Sequence, residues 1–179
     1  MSDPLLDLGN GLEIRIFAPD DALEIFELID VERERLREWM PWADATKCPD
    51  DVRTYIERTR AGEDLDGLGI YVDGTCVGGM GLRFEALNGD GELGYWIGSS
   101  HEGRGLVTRA CRAMIDHAFG ELGLHRVTIC AAPENARSRT IAERLGFTEE
   151  GLLREAERIG TGYHDLVVYG LLEHEWPPQ

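Results

Sequence analysis

At 179 residues and 42% hydrophobic side chains, the chain has the length of one ordinary domain and enough apolar material for a proper core, so a single domain over 1–179 is expected. A formal net charge of −16 repels nucleic acid and anionic membranes and favours cationic or amine-bearing partners. No apolar run reaches membrane-spanning length, and the opening MSDPLLDLGNGLE lacks the basic and apolar regions of a signal peptide, so a cytoplasmic protein is expected.

The elements follow in chain order. LEIRIFA (12–18) alternates and is β-branched, which predicts a strand. Pro19 and two acidic residues then open a helix with Leu23, Phe26 and Ile29 at helical spacing. VERERLREWM predicts a second short, charged helix stopped before Pro41. The stretch 49–62 repeats the helix logic, with Asp50 as cap and Gly62 as terminator. The period then changes to two, and 64–98 reads as an antiparallel meander whose first hairpin turns at Asp73-Gly74. A helix over 105–120, the strand HRVTICAA, and a helix begun by Asn135 and ended by Gly146 come next. Two strands around a Gly160–Gly162 turn end the chain, the last apolar enough to be central. This is α/β alternation on a mixed, mostly antiparallel sheet.

Charge and motif single out one region. Residues 101–146 carry seven basic and five acidic side chains, a local excess of two positive charges in a strongly acidic chain. Within it lies HEGRGLVTRA, a glycine pair running into a helix. No Gly-Lys-Ser/Thr follows, which excludes a P-loop, and no third glycine follows in place, which excludes the dinucleotide fingerprint. Two readings remain: a cradle whose free N–H groups and helix dipole bind phosphate, or a strand-to-helix turn that needs positive φ. Cys48, Cys76, Cys111 and Cys130 are widely spaced, and the histidines form no His-x-x-x-His pair, so free thiols and no metal site are expected.

The runs GELGYWIGSSHEGRGLVTRA and PENARSRTIAERLGFTEEG, with LREWMPW ahead of them, resemble the GCN5-related N-acetyltransferase (GNAT) superfamily, and most closely its RimJ/RimL-like ribosomal-protein branch. The resemblance spans nearly the whole chain. It implies a GNAT fold, with a seven-stranded sheet flanked by helices and splayed between strands 4 and 5. It implies an enzyme that moves the acetyl group of acetyl-CoA, without a metal, to the primary amine of a protein N-terminus or a small molecule by direct transfer in a ternary complex. The acceptor would enter near Trp39, Trp42 and the terminal strands. A homodimer is expected from relatives. Another acyl donor such as succinyl-CoA, or a non-catalytic acyl-CoA-binding module on the same fold, is the alternative.

Residue by residue, the resemblance places the backbone of Tyr95, Trp96 and Ile97 along the thioester and pantetheine arm. It places His101, Glu102, Gly103, Arg104, Gly105, Leu106 and Val107 around the pyrophosphate. Glu102 would turn its carboxylate to solvent and contribute its N–H, and Arg104 would add charge. Ser100 stands where the family usually has Gln or Arg. Asn135 matches a contact to pantetheine or substrate, as well as a helix cap, and Ser138 the hydroxyl that meets the departing sulfur. Glu157 matches the general base, with Tyr163 and His164 as rivals.

Overall fold

The strands are β1 (Leu6–Asp7), β2 (Leu12–Ile16), β3 (Leu65–Val72), β4 (Thr75–Glu85), β5 (Asp90–Ile97), β6 (Arg126–Ala131), β7 (Thr148–Ile159) and β8 (Gly162–Leu172). The helices are α1 (Ala22–Leu36), α2 (Pro49–Arg60), α3 (Leu106–Gly120) and α4 (Ala136–Arg144). This is a computed structural model, and it describes residues 4–62, 65–85 and 87–177; position 64, the expected start of the meander, lies outside them. The strands form one sheet in the order β1-β2-β3-β4-β5-β6-β8-β7, in which only β5 and β6 are parallel.

Period-two alternation sorts the strand side chains to two faces. Ile70 belongs to a core with Leu93, Ile97, Val127 and Ile129 that packs under α3 and α4. Its neighbour Tyr71 belongs to a second core with Ile25, Ile29, Val52 and Ile56 of α1 and α2. Helices therefore cover both faces. Asp73 (φ 50°) and Gly74 (φ 83°) make the predicted tight turn between β3 and β4, both central residues having the positive φ such a hairpin requires.

Three expectations need correction. The sheet has eight strands rather than seven, because Leu6–Asp7 folds back on β2 through a turn with positive φ at Gly9, Asn10 and Gly11. The charged segment after Asp30 is no separate helix. α1 runs unbroken to Leu36, since no Gly or Pro interrupts it and Ile25, Ile29, Glu32 and Leu36 continue one buried stripe. Asp51, not Asp50, closes the start of α2: its carboxylate accepts the N–H groups of Lys47 (2.8 Å) and Cys48 (3.1 Å).

The feature that makes a site is a failure of pairing. β5 and β6 pair only at Asp90↔Arg126, Gly91↔Val127 and Glu92↔Thr128, and beyond that they diverge. The sheet opens between them, at the fourth and fifth strands if the short β1 is set aside.

Candidate active site

A cleft of about 1550 Å³ runs from the splay to the loop before α3 and to the α1–α2 face. On the β5 wall, the Gly98 N–H donates to Val77 O at 2.8 Å. Antiparallel alternation then turns the N–H of Trp96 to β4, while Leu93, Tyr95 and Ile97 present their backbone to the gap. Of the three residues whose backbone was expected along a pantetheine arm, Tyr95 and Ile97 turn theirs toward the gap. Trp96 instead contributes its ring, which lies across Gly79; a Cβ there would sit 2.5 Å from the indole nitrogen.

After β5, Ser99–His101 form a single 3-10 turn, and Gly103 and Gly105 both take φ 72° before α3 begins. The first intrahelical bond of α3 runs from the Arg109 N–H to Gly105 O (3.0 Å). Among the described residues, the six consecutive N–H groups of Gly103–Thr108 have no acceptor. Six unspent donors at the positive end of a helix dipole suit a polyanion. A Cβ at Gly103 or Gly105 would meet nothing within 4 Å, so the glycines serve backbone conformation and leave the space above them open. The turn needs positive φ, and the same turn leaves these donors exposed.

Glu102 does not face solvent. Its carboxylate accepts from Arg35 Nη1 at 2.9 Å and from Arg137 Nη1, and its own N–H is spent on Ser99 O at 3.2 Å. Two cations attract it more than water does, so it joins α1 to the first turn of α4 across the cleft. Arg35 also binds Glu32 (2.9 Å) and the Ile97 carbonyl. Arg104 is exposed and outside the cleft lining, whereas Arg35, Arg137 and Arg144 line it. Ser100 also lies outside the lining, with its hydroxyl 2.9 Å from His101 Nδ1. His101, Leu106, Val107, Asn135 and Ser138 all border the cleft. Asn135 caps α4, its Oδ1 accepting the Ser138 N–H at 3.2 Å.

At the other end stands Glu157. It and Ile159 are the two residues of β7 that are not exposed, and both line the cleft. A bulge precedes it: Glu155 has φ 49° and its N–H donates to Asp165 Oδ1 at 2.8 Å, shifting the ladder so that Glu157 stands opposite His164. Burial and the nearby Glu92 carboxylate push its pKa up, against the opposing pull of His164 and Arg83. His164 and Tyr163 stay outside the lining, and Tyr163 is exposed. Cys130 also borders the cleft; burial, with Glu92 and Glu157 nearby, pushes its thiol up to about 11, so it stays protonated. On the α1–α2 side, Trp39, Trp42, Tyr55 and Trp96 form the wall, with the Trp42 and Trp96 rings 5.8 Å apart at 57°. Among the described residues no cluster of His, Cys, Asp and Glu could hold a metal ion, and no helix is long and apolar enough to cross a membrane.

Glu92, outside the expected site residues, shares its sheet face with Trp96 and pairs with Arg83 at 2.7 Å beside Glu157. Its signal was period-two spacing, four residues before Trp96 in GELGYW. Arg35 and Glu32 gave no signal, because only the packing of α1 against the loop brings them there.

The acetyltransferase (GNAT) domain model matches residues 12–148. The chain belongs to this family. A Bacillus subtilis (strain 168) relative named "Putative ribosomal N-acetyltransferase YdaF" is 41% identical over 174 residues, covering 94% of this chain and 95% of that protein. The ribosomal-protein-serine acetyltransferase of Escherichia coli (strain K12) is 27% identical over 92% of this chain and 94% of its own. Among solved structures, the microcin C7 self-immunity acetyltransferase MccE in complex with acetyl-CoA and AMP superposes with a TM-score of 0.86 at 25% identity, covering 92% of this chain and 94% of that one. This GNAT protein is an acetyl-CoA-dependent N-acetyltransferase of the RimJ/RimL-like group.

Proposed function

We propose that the acceptor is the N-terminal amine of a protein, a ribosomal protein in the first instance. The names of the two curated relatives support this, and so does a cleft open enough to admit an extended chain beside Trp39 and Trp42. The observation that carries the site reading is the run of six unspent N–H groups next to the β5–β6 gap.

In this reading the N–H groups of Gly103–Thr108 hold the pyrophosphate, and Arg137 adds charge on the facing lip. Tyr95 and Ile97 turn their backbone to the acyl arm in the gap. An N–H aimed at the thioester oxygen stabilises the oxyanion that forms on attack. Glu157 takes the proton that the amine must lose, directly or through one water. Desolvation beside Glu92 makes it a stronger base than an ordinary surface glutamate. Ser138 hydrogen-bonds the sulfur as it leaves; the thiol has a reference pKa near about 8.5, so a hydroxyl is help enough. The protein works in the cytoplasm as a homodimer, which light scattering on a sizing column reads directly.

The test is mass spectrometry of ribosomal-protein N-terminal peptides and free amines incubated with labelled acetyl-CoA. Label on an N-terminal peptide amine supports the reading. Label on small amines alone rejects it.

A further inference from the structure

Besides Glu102–Arg137, a second hydrogen-bonded contact joins β5 to α4 across the splay. The Tyr95 hydroxyl, on β5, lies 3.0 Å from Ser138 Oγ and 3.3 Å from the Ser138 carbonyl oxygen, in the first turn of α4. A phenol has one hydrogen to give, for which the Ser138 carbonyl, which can only accept, competes with the nearer Oγ; a serine hydroxyl can both accept and donate. The Ser138 N–H is already taken by Asn135. Among the described residues, Ser138 Oγ has no partner but Tyr95. Burial pushes the Tyr95 pKa up, so the phenol stays neutral and keeps its proton. If Ser138 donated to Tyr95, its proton would point back into the β5 wall and be lost to the cleft. If Tyr95 donates, the serine proton is free, and Ser138 borders the cleft.

We propose that Tyr95 is a positioning residue: its O–H donates to Ser138 Oγ and so turns the serine proton into the cleft, toward the departing sulfur. The inference rests on the role given to Ser138 above. In the transfer, the amine nitrogen bonds to the acyl carbon and the carbon–sulfur bond breaks. The sulfur leaves with the electron pair, and the amine proton goes to Glu157. Ser138 and Tyr95 keep their protons throughout. They supply a hydrogen bond that strengthens as charge builds on sulfur, which lowers the barrier without tightening ground-state binding.

The experiment is a double-mutant cycle on Tyr95→Phe and Ser138→Ala, read as the single-turnover rate with acetyl-CoA bound beforehand, alongside acetyl-CoA affinity by calorimetry. Ser138→Ala is expected to slow transfer by about 10-fold or more, the size of a hydrogen bond to a charged group. Tyr95→Phe should slow it about 5-fold, and the double variant should be no slower than Ser138→Ala alone, with affinity within about 2-fold in all three. A purely structural tyrosine gives a different pattern: weaker binding or lower Tm with the transfer rate unchanged, or two rate losses that multiply. Either pattern, or Tyr95→Phe at the wild-type rate, overturns the positioning role and leaves Ser138 in place. A wild-type rate for Ser138→Ala overturns the serine's role and the positioning together.

Discussion

The buried Glu32 carboxylate accepts two hydrogen bonds from Ser99, from its N–H at 2.8 Å and from its hydroxyl at 2.6 Å. A residue of α1 thereby fixes the first turn of the loop that follows β5, and Arg35, one turn on, fixes both the end of β5 and Glu102. Burial pushes the Glu32 pKa up, but the Ser99 bonds and Arg35 outweigh it and hold it below the ordinary value. A depressed carboxylate contributes stability above its unfolded pKa and loses it as pH falls through the folded value. Glu32→Ala removes both Ser99 bonds and one of the three partners of Arg35, and a hydrogen bond to a charged group contributes about 1.5–3 kcal/mol. The expected result is a lower Tm at neutral pH and about 10-fold weaker acetyl-CoA binding, since a loosened loop adds an ordering cost to be met on binding. The Tm gap from wild type should shrink as the solution is acidified. A gap that is constant with pH would show that the charge of Glu32 plays no part.

Gly105 separates the two readings of the glycine pair. With φ 72°, any side chain there carries strain of about 1–2 kcal/mol. Gly105→Ala imposes that strain but leaves the donors and the open space above them. Gly105→Glu adds a carboxylate beside six unspent N–H groups. Acetyl-CoA affinity is expected to fall a few-fold in the first and by about 100-fold in the second, a like-charge penalty on top of the strain. Normal binding by Gly105→Glu would make the loop a plain turn.

What was legible in the chain was what depends on neighbours in sequence. Asp73-Gly74 announced its hairpin, Asn135 its cap, and the glycine pair its turn, because each is a local conformational demand. The ion pairs of Glu102 are not legible in sequence, because its partners, Arg35 and Arg137, stand 67 and 35 residues away and meet only when the cleft forms. Likewise the stripe Ile25, Ile29, Glu32, Leu36 reads as a charged helix face until Ser99 supplies a reason to bury a carboxylate. Tyr95 offered its backbone by family resemblance, but its hydroxyl acquires a role only once α4 docks against β5.

Trp42 tests the direction of acceptor entry. Its ring packs 5.8 Å from that of Trp96 on the α1–α2 wall of the cleft. Removing a tryptophan anchor from a binding surface commonly costs about 2 kcal/mol or more. Trp42→Ala is therefore expected to raise the acceptor KM by about 30-fold while acetyl-CoA affinity, by calorimetry, stays near wild type. The reverse pattern would put the acceptor on another wall.

In the base role proposed for it, Glu157 sets activity against stability. Its pKa is raised, first by burial and then by Glu92. For such a group the unfolded state holds fewer protons than the folded one once pH exceeds the unfolded pKa. Stability therefore falls as pH rises through the window between the two pKa values, and above both the ionised form is a standing cost. A base for amine acetylation must be in that ionised form, so the proposed role carries this cost at the working pH. Glu157→Gln keeps the shape and removes the charge. Turnover should drop by about 100-fold or more, the usual contribution of a positioned base, with acetyl-CoA affinity unchanged. The rising acid limb of the wild-type pH–rate profile, set by an apparent pKa above the ordinary glutamate value, should vanish with it. At neutral pH the variant should melt at a higher temperature than wild type, and in acid, where Glu157 is protonated in both states, the two should melt together. A variant that is slow and also less stable at neutral pH would point to lost packing, and unchanged turnover would remove Glu157 from the chemistry, leaving Glu92 as the carboxylate next in line at the same end of the cleft.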